Sequence, residues 1–176
     1  MLVIKAIQFA SEKHKGQERR STGLPYVTHP IIVMELVQKY KGTSKHIDEL
    51  KCAALLHDTL EDTETTYHEL EREFGPLVSS IVIELTSDKK QSKLMGKNEY
   101  LKDKMEKMSR YAFTLKLLDR LSNVIDGPTK KYVKNTVELI EYLIEERKEV
   151  TDRQTKIMRK IMEVCKSKEG EIMVGA

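Results

Sequence analysis

Residues 52–62 read Cys-Ala-Ala-Leu-Leu-His-Asp-Thr-Leu-Glu-Asp. The first five are apolar or small, a pattern that predicts a buried helix, and the last six include one imidazole and three carboxylates. On a continuous helix His57 and Glu61 lie one turn apart on the same side, and Asp58 and Asp62 do likewise. This stretch therefore predicts a helical core that ends in a cluster able to bind a metal ion or transfer protons.

The cluster also has a purely structural interpretation. His57 could be a hydrogen-bonded core histidine, and the acids could be the polar end of an amphipathic helix. Two arguments oppose it. The helix macrodipole disfavours three carboxylates near a helix C-terminus, and their mutual repulsion is the kind that a bound divalent cation relieves. We therefore expect a functional cluster.

The rest of the chain also favours helix. Leu, Lys, Glu and Met are plentiful, Gly, Pro and aromatic residues are few, and no segment alternates with the period of a strand. We expect helices at about 2–14, 28–40 (with Thr28 as N-cap), 46–60, 66–74, 76–85, 92–107, 109–125, 130–147 and 152–167. No linker or repeat interrupts the pattern, so residues 1–176 are predicted to form one all-α domain, a compact multi-helix bundle.

The composition excludes several classes of protein. The net charge of +3 is a small difference between 31 basic and 28 acidic residues, which argues against a nucleic-acid partner. No apolar run approaches the roughly 20 residues needed to span a bilayer. Only Cys52 and Cys165 are present, in no metal-binding spacing, so two reduced thiols are expected. These features predict a cytoplasmic protein without a membrane partner, and they leave homo-oligomer formation open.

Two distant residues complete a candidate metal site. His29 lies in Pro-Tyr-Val-Thr-His-Pro at the start of a predicted helix, and Asp119 lies in the apolar stripe Lys-Leu-Leu-Asp-Arg-Leu-Ser-Asn. Alone, His29 could be structural and Asp119 could pair with a neighbouring Arg. Together with His57 and Asp58 they offer two imidazoles and two carboxylates, a set that suits Mn²⁺, Fe²⁺ or Zn²⁺.

The order of these residues resembles the metal signature of the HD superfamily of phosphohydrolases. Longer stretches look like the hydrolase domain of the RelA/SpoT homologues, and especially the small alarmone hydrolases that include the metazoan SpoT homologues. These stretches are H-K-G-Q-x-R-R-S, T-G-x-P-Y-V-T-H-P, A-A-L-L-H-D-T-L-E-D-T, F-G-P-x-V and K-L-L-D-R-L-S-N-V. The resemblance covers about residues 3–145, and the residues after 148 carry no such motif.

The resemblance implies a role for each matching residue. One metal ion, usually Mn²⁺ in these enzymes, would be held by His29, His57, Asp58 and Asp119. The adjacent acids Glu61 and Asp62 would activate or orient the attacking water and handle a proton. The loop that embraces the guanine base and its ribose would be Arg19, Arg20 and Ser21.

For three further groups the roles are less defined. By resemblance Asn123 contacts the nucleotide, whereas Lys116 either binds phosphate or forms a structural ion pair. Tyr26 is interpreted as a packing residue or one that supports a metal ligand. The Lys-rich stretch after Asp88 aligns loosely, and its members bind pyrophosphate or are merely solvated: Lys89, Lys90, Lys93 and Lys97.

The implied activity is that of a guanosine-3′,5′-bis(diphosphate) 3′-pyrophosphohydrolase of the stringent response. It would hydrolyse the alarmones ppGpp and pppGpp to GDP or GTP and pyrophosphate. Three alternatives remain open: an HD-type phosphatase acting on another nucleotide, such as the 2′-phosphate of NADPH or a nucleoside monophosphate; a non-catalytic alarmone-binding protein; and a helical DNA- or RNA-binding module.

Overall fold

Helices form all the regular secondary structure that can be described. The structure, a computed structural model, describes the backbone of residues 1–174 and the side chains of residues 1–168 and 170. The helices are α1 (Leu2–Lys13), α2 (Thr28–Lys41), α3 (Ile47–Leu56), α4 (Thr59–Asp62), α5 (Tyr67–Phe74), α6 (Pro76–Leu85), α7 (Lys89–Met95), α8 (Lys97–Lys107), α9 (Arg110–Ile125), α10 (Lys130–Glu146) and α11 (Asp152–Val174). Residues 1–174 contain no strand and only one isolated antiparallel bridge. The prediction of an all-α fold is confirmed.

Several helix ends lie where local chemistry predicts them. The Thr66 hydroxyl accepts a hydrogen bond from the Glu69 backbone N–H at 3.2 Å and caps α5. Gly75 has a φ of 84°, which a side chain would oppose, and it separates α5 from α6. Pro76 begins α6, where its missing N–H has no cost.

Two predicted helix boundaries are wrong. The helix expected over 92–107 is instead α7 and α8, because Gly96 adopts a φ of 83° between them and Asp88 caps α7. Thr28 was expected to cap α2, but it is the first residue of the helix and its hydroxyl donates to the Pro25 carbonyl at 2.8 Å. Both differences arise from turn geometry, which hydrophobic periodicity does not report.

The described chain divides into two compact units, and the first comprises Met1–Ser87 and Ser109–Leu115. In this unit α3 packs against α1, α2 and α6. The α3 residues from Cys52 to Leu56 are all completely buried, as expected of the apolar second half of this helix. Burial, with the charges of Asp48 and Glu49, raises the pKa of Cys52 to about 12, so this thiol stays protonated. Both cysteines are buried, and neither forms a disulfide within the described part of the chain.

The second unit comprises Asp88–Met108 and the chain from Lys116 onward. Here α10 packs against α8 and α11, and its buried apolar residues include Val133, Leu139 and Leu143. The Arg147 guanidinium donates to the Met105 and Met108 carbonyls at 2.6 and 2.8 Å, which satisfies backbone acceptors at the end of α8. Among the described residues, no helix is both long enough and apolar enough to cross a membrane.

Candidate metal centre

The motif His57-Asp58 lies in a break between two helices and not inside one. The prediction of a continuous helix over 46–60 is wrong, because α3 ends at Leu56 and α4 begins at Thr59. His57 Nδ1 is 2.7 Å from the Ala54 carbonyl oxygen, and the Thr59 hydroxyl donates to the Leu56 carbonyl at 2.7 Å. These side chains bond carbonyls that a continuing helix would pair with backbone N–H groups. Side chains of the motif therefore satisfy carbonyls at the end of α3.

Because of this break, the helix macrodipole acts on the three acids in the opposite sense to the one expected. Asp58 directly precedes α4, and Glu61 and Asp62 lie in its first turn. Negative charge is favourable at a helix N-terminus, so the macrodipole does not oppose these carboxylates as expected. The three carboxylates still crowd and repel one another, and a bound cation would relieve that repulsion.

Two imidazoles meet in the first unit. His29 lies in the first turn of α2, and His57 follows α3. Their ring centroids are 5.2 Å apart, and the residues are only 2% and 3% exposed. Pro30 follows His29 without disturbing α2, because the first-turn N–H groups have no partner inside a helix.

The tautomer of His57 can be deduced from its neighbours. A carbonyl oxygen only accepts, so the contact with Ala54 requires the proton on Nδ1. In the neutral ring this leaves the lone pair on Nε2, which lies 2.9 Å from Asp58 Oδ2. An imidazole lone pair and a carboxylate oxygen at that distance repel each other, and either a second proton on the ring or a bound cation relieves that repulsion. The distance also matches the roughly 3 Å that separates adjacent ligands around an octahedral ion at about 2.1 Å.

Three of the four predicted metal ligands lie in the first unit: His29, His57 and Asp58. The two buried imidazoles, with the Asp58 carboxylate beside His57, are consistent with a divalent metal site. Asp119 lies on α9 in the second unit.

The predicted common face of α9 is present. Lys116 Nζ lies 3.0 Å from Asp119 Oδ2, and Asn123 Nδ2 donates to Asp119 Oδ1 at 2.7 Å. The side chains of Lys116 and Asp119 are only 12% and 13% exposed. Of the two roles considered for Lys116, the ion pair is the one observed. Its phosphate role stays a prediction.

Glu61 and Asp62 occupy different environments. Glu61 Oε2 accepts a hydrogen bond from the Ser87 backbone N–H at 2.9 Å, which links α4 to the turn after α6. Asp62 is exposed, and its backbone carbonyl accepts from Gln17 Nε2 at 3.0 Å. The two acids are adjacent in sequence, yet Glu61 is bonded to the Ser87 backbone N–H whereas Asp62 lies at the surface.

The predicted substrate residues lie on separate surface segments. The loop between α1 and α2 folds back on itself, with Arg19 N–H bonded to the Leu24 carbonyl at 2.8 Å, and it carries Arg20 and Ser21 on its exposed part. The Lys-rich stretch, which sequence comparison left undefined, forms α7 and the start of α8. The four lysines of that stretch remain candidates for phosphate binding.

Two tyrosine hydroxyls are bonded to candidate site residues. The Tyr26 hydroxyl donates to Asp58 Oδ2, and the Tyr132 hydroxyl shares a hydrogen bond with Asn123. Burial raises the pKa of Tyr132, against the opposing effect of the Arg120 guanidinium, which lies over its ring at 5.0 Å. For Tyr26 the signal was its place three residues before His29, whereas for Tyr132 the sequence held none.

Helices that bring two buried imidazoles together with carboxylates define a helical protein with a divalent-metal site. A family model described as "HD domain" matches residues 6–126. The chain therefore belongs to the HD domain family.

Individual relatives narrow the comparison. The chain is 36% identical over 126 residues to "Guanosine-3′,5′-bis(diphosphate) 3′-pyrophosphohydrolase MESH1" of Danio rerio, covering 71% of this chain and 68% of that protein. It is 38% identical to the protein of the same name from Homo sapiens, covering 70% and 68%. A bacterial relative, "Guanosine-3′,5′-bis(diphosphate) 3′-pyrophosphohydrolase" of Aquifex aeolicus, is 35% identical over 77% of this chain but only 20% of its own length.

A solved structure has the same fold. Its title is "A metazoan ortholog of SpoT hydrolyzes ppGpp and plays a role in starvation responses". It matches with a TM-score of 0.72 and 27% identity, over 90% of this chain and 94% of its own. The resemblance noted in the sequence is confirmed at the level of family and fold.

Proposed function

We propose that this protein is a metal-dependent guanosine-3′,5′-bis(diphosphate) 3′-pyrophosphohydrolase. It would cleave the ester between the 3′ ribose oxygen and the pyrophosphate of ppGpp or pppGpp, yielding GDP or GTP and pyrophosphate. The observation that carries the proposal is the buried pair His29 and His57, with the Asp58 carboxylate 2.9 Å from one of them. The choice of ppGpp or pppGpp as the substrate comes from the relatives whose names state this reaction.

The metal would be held by four side chains from three parts of the sequence: His29, His57, Asp58 and Asp119. The proton on His57 Nδ1 is fixed by the Ala54 carbonyl, so Nε2 is the nitrogen that offers a lone pair. We propose Mn²⁺, although mixed nitrogen and oxygen ligands also accept Fe²⁺ or Zn²⁺. When bound, such an ion lowers the pKa of a coordinated water and polarises a phosphoryl group.

Glu61 and Asp62 are proposed as the proton-handling pair. A carboxylate accepts a proton from an attacking water, and a protonated acid gives one to the leaving 3′ oxygen. The Ser87 N–H holds Glu61 in place, which suits the residue that must orient the water. Asp62 is exposed, which suits exchange of a proton with solvent.

The nucleotide would be held by side chains on the loop after α1 and on α9. An Arg guanidinium stacks on a purine and donates to phosphate, and these abilities fit Arg19 and Arg20 beside Ser21. On α9 the residues are Lys116 and Asn123, one turn on either side of Asp119. We place this activity in the cytoplasm, with a small nucleotide as the only required partner.

The test is product analysis of ppGpp with purified protein, first stripped of metal and then resupplied with Mn²⁺. We expect pyrophosphate and GDP only after resupply, and no product from Asp119→Asn. The control is Asp103→Asn, which removes an exposed carboxylate paired with Lys107 on α8 and should retain full activity.

Other outcomes would replace the proposal. Phosphate released from NADPH or a nucleoside monophosphate, with ppGpp left intact, would indicate an HD-type phosphatase for another nucleotide. Calorimetric binding of ppGpp without turnover in Mn²⁺ would indicate a sensor. Salt-dependent binding to duplexes would indicate a nucleic-acid module.

A further inference from the structure

The loop between α1 and α2 contacts both ends of α4, one with each of its two arms. The arms are joined by a backbone hydrogen bond from Tyr26 N–H to the Gln17 carbonyl at 2.8 Å, next to the bridge of Glu18 with Pro25. From one arm, Gln17 Nε2 donates to the Asp62 carbonyl at 3.0 Å. From the other, the Tyr26 hydroxyl donates to Asp58 Oδ2. The loop is therefore hydrogen-bonded to both ends of α4, at Asp58 directly before the helix and at Asp62 in its last position.

The contacts around the Tyr26 ring restrict its position. The His14 ring lies 4.7 Å from it, centroid to centroid, and His14 is only 3% exposed. His14 Nδ1 is 2.8 Å from Gln17 Oε1. Because the Asp62 carbonyl only accepts, the Gln17 amide presents its nitrogen to that carbonyl, and its Oε1 therefore faces His14. Since Oε1 also only accepts, the proton is on His14 Nδ1. Each group in this chain is therefore oriented by the next.

The hydrogen bond from Tyr26 reaches one oxygen of the Asp58 carboxylate. The terminal torsion of an Asp side chain is broad, so Asp58 alone does not present one oxygen in a fixed direction. An ionised carboxylate only accepts, and a phenol hydroxyl is a donor of the right kind. The same oxygen, Oδ2, lies 2.9 Å from His57 Nε2. A donor at Oδ2 selects the orientation in which the carboxylate faces the imidazole.

We propose that Tyr26 is a positioning residue for the metal centre, acting by holding the Asp58 carboxylate in its ligating orientation. This inference rests on the proposed function only in taking Asp58 as a metal ligand. It assigns Tyr26 a part in metal affinity, with His14 and Gln17 keeping its ring in place. Hydrogen bonds to metal ligands typically change metal affinity 10- to 100-fold.

The test compares Mn²⁺ binding by metal-stripped protein, measured by calorimetry, in Tyr26→Phe and in the parent. We expect the dissociation constant to rise about 10- to 100-fold when the hydroxyl is removed. Tyr67→Phe is the matched control, because Tyr67 donates to Glu71 at 3.2 Å on α5 and should bind Mn²⁺ like the parent. Replacing Tyr26 with 4-aminophenylalanine restores a donor at the same place and should restore most of the affinity.

An unchanged dissociation constant in Tyr26→Phe overturns the proposal, and so does a 4-aminophenylalanine protein as weak as the Phe variant, since packing would then explain the loss. If Tyr26→Phe is unstable, the Mn²⁺-dependent rise in its melting temperature still reports the affinity of the folded fraction. Asp58→Asn distinguishes a failure of the proposed metal site from a failure of the role proposed for Tyr26. If that variant binds Mn²⁺ normally, the proposed metal site is wrong; if it loses Mn²⁺ while Tyr26→Phe does not, only the role of Tyr26 is wrong.

Discussion

Two segments carry acids that are proposed as metal ligands, and they present them in different ways. On α9 an unbroken helix places Lys116 and Asn123 on either side of Asp119, at the three- and four-residue spacings that share a face. After α3 the helix is interrupted, and side chains bond the Ala54 and Leu56 carbonyls at the interruption. Periodicity therefore predicts contacts where a helix continues, and it does not predict where a helix is interrupted.

The largest expected effect comes from removing the imidazole at the break. His57→Ala should lose measurable Mn²⁺ binding and leave less than about one-hundredth of the ppGpp hydrolysis, since it removes a ligand and not merely a supporting group. Calorimetry and product analysis check both. His46→Ala removes an imidazole that is partly exposed before α3 and should leave both unchanged. Normal Mn²⁺ binding by His57→Ala would mean that the break is structural only.

The next effect concerns the stability of the break. Thr59→Val keeps the shape of the side chain but leaves the buried Leu56 carbonyl without its hydroxyl donor. We expect the free energy of unfolding, measured in urea, to fall by about 1–3 kcal/mol.

Thr155→Val on α11 is the control for the same change of side chain, with an expected change of less than about 0.5 kcal/mol. Equal losses in the two variants would show that the Thr59 hydroxyl does not stabilise the end of α3. The comparison with α9 would then lose its physical basis.

The smallest expected effect concerns Lys116, which pairs with Asp119 on the unbroken helix α9. Lys116→Met removes a cation that competes with a metal ion for Asp119, so Mn²⁺ should bind about 2- to 5-fold more tightly, the equivalent of an ion pair worth about 0.5–1 kcal/mol. Calorimetry measures the affinity, and the KM for ppGpp is measured in parallel.

Lys134→Met, which removes an exposed lysine 3.9 Å from Glu138, should change neither quantity. A KM that rises many-fold in Lys116→Met, with Mn²⁺ affinity unchanged, would favour the phosphate-binding role of Lys116 over the ion pair. The two interpretations left open by the sequence would then be separated.

Much of the fold was predictable from local patterns. The cap at Thr66, the turn at Gly75 and the start of α6 at Pro76 depend on residues close in sequence, and each is where the sequence placed it. The split at Gly96 was missed because the surrounding residues keep a helical composition. A single glycine outweighs that pattern when its backbone takes a positive φ.

For the candidate centre, the residue types and their order indicated His29, His57 and Asp119 as candidate ligands. The approach of the His29 and His57 rings required the tertiary structure, because these two residues are separated by 28 positions in the chain. Tyr26 could be noticed in the sequence, but its hydroxyl contact with Asp58 could not be, since that contact joins residues 32 positions apart.

The sequence by itself determined the helical class, most helix ends and the chemical identity of the candidate site, because propensity, capping and side-chain chemistry act over a few residues. Only the tertiary structure decided which residues of distant segments meet: the His29 ring beside the His57 ring, and the Tyr26 hydroxyl at the Asp58 carboxylate. Such choices depend on distances between chain segments, and packing of the apolar core sets those distances.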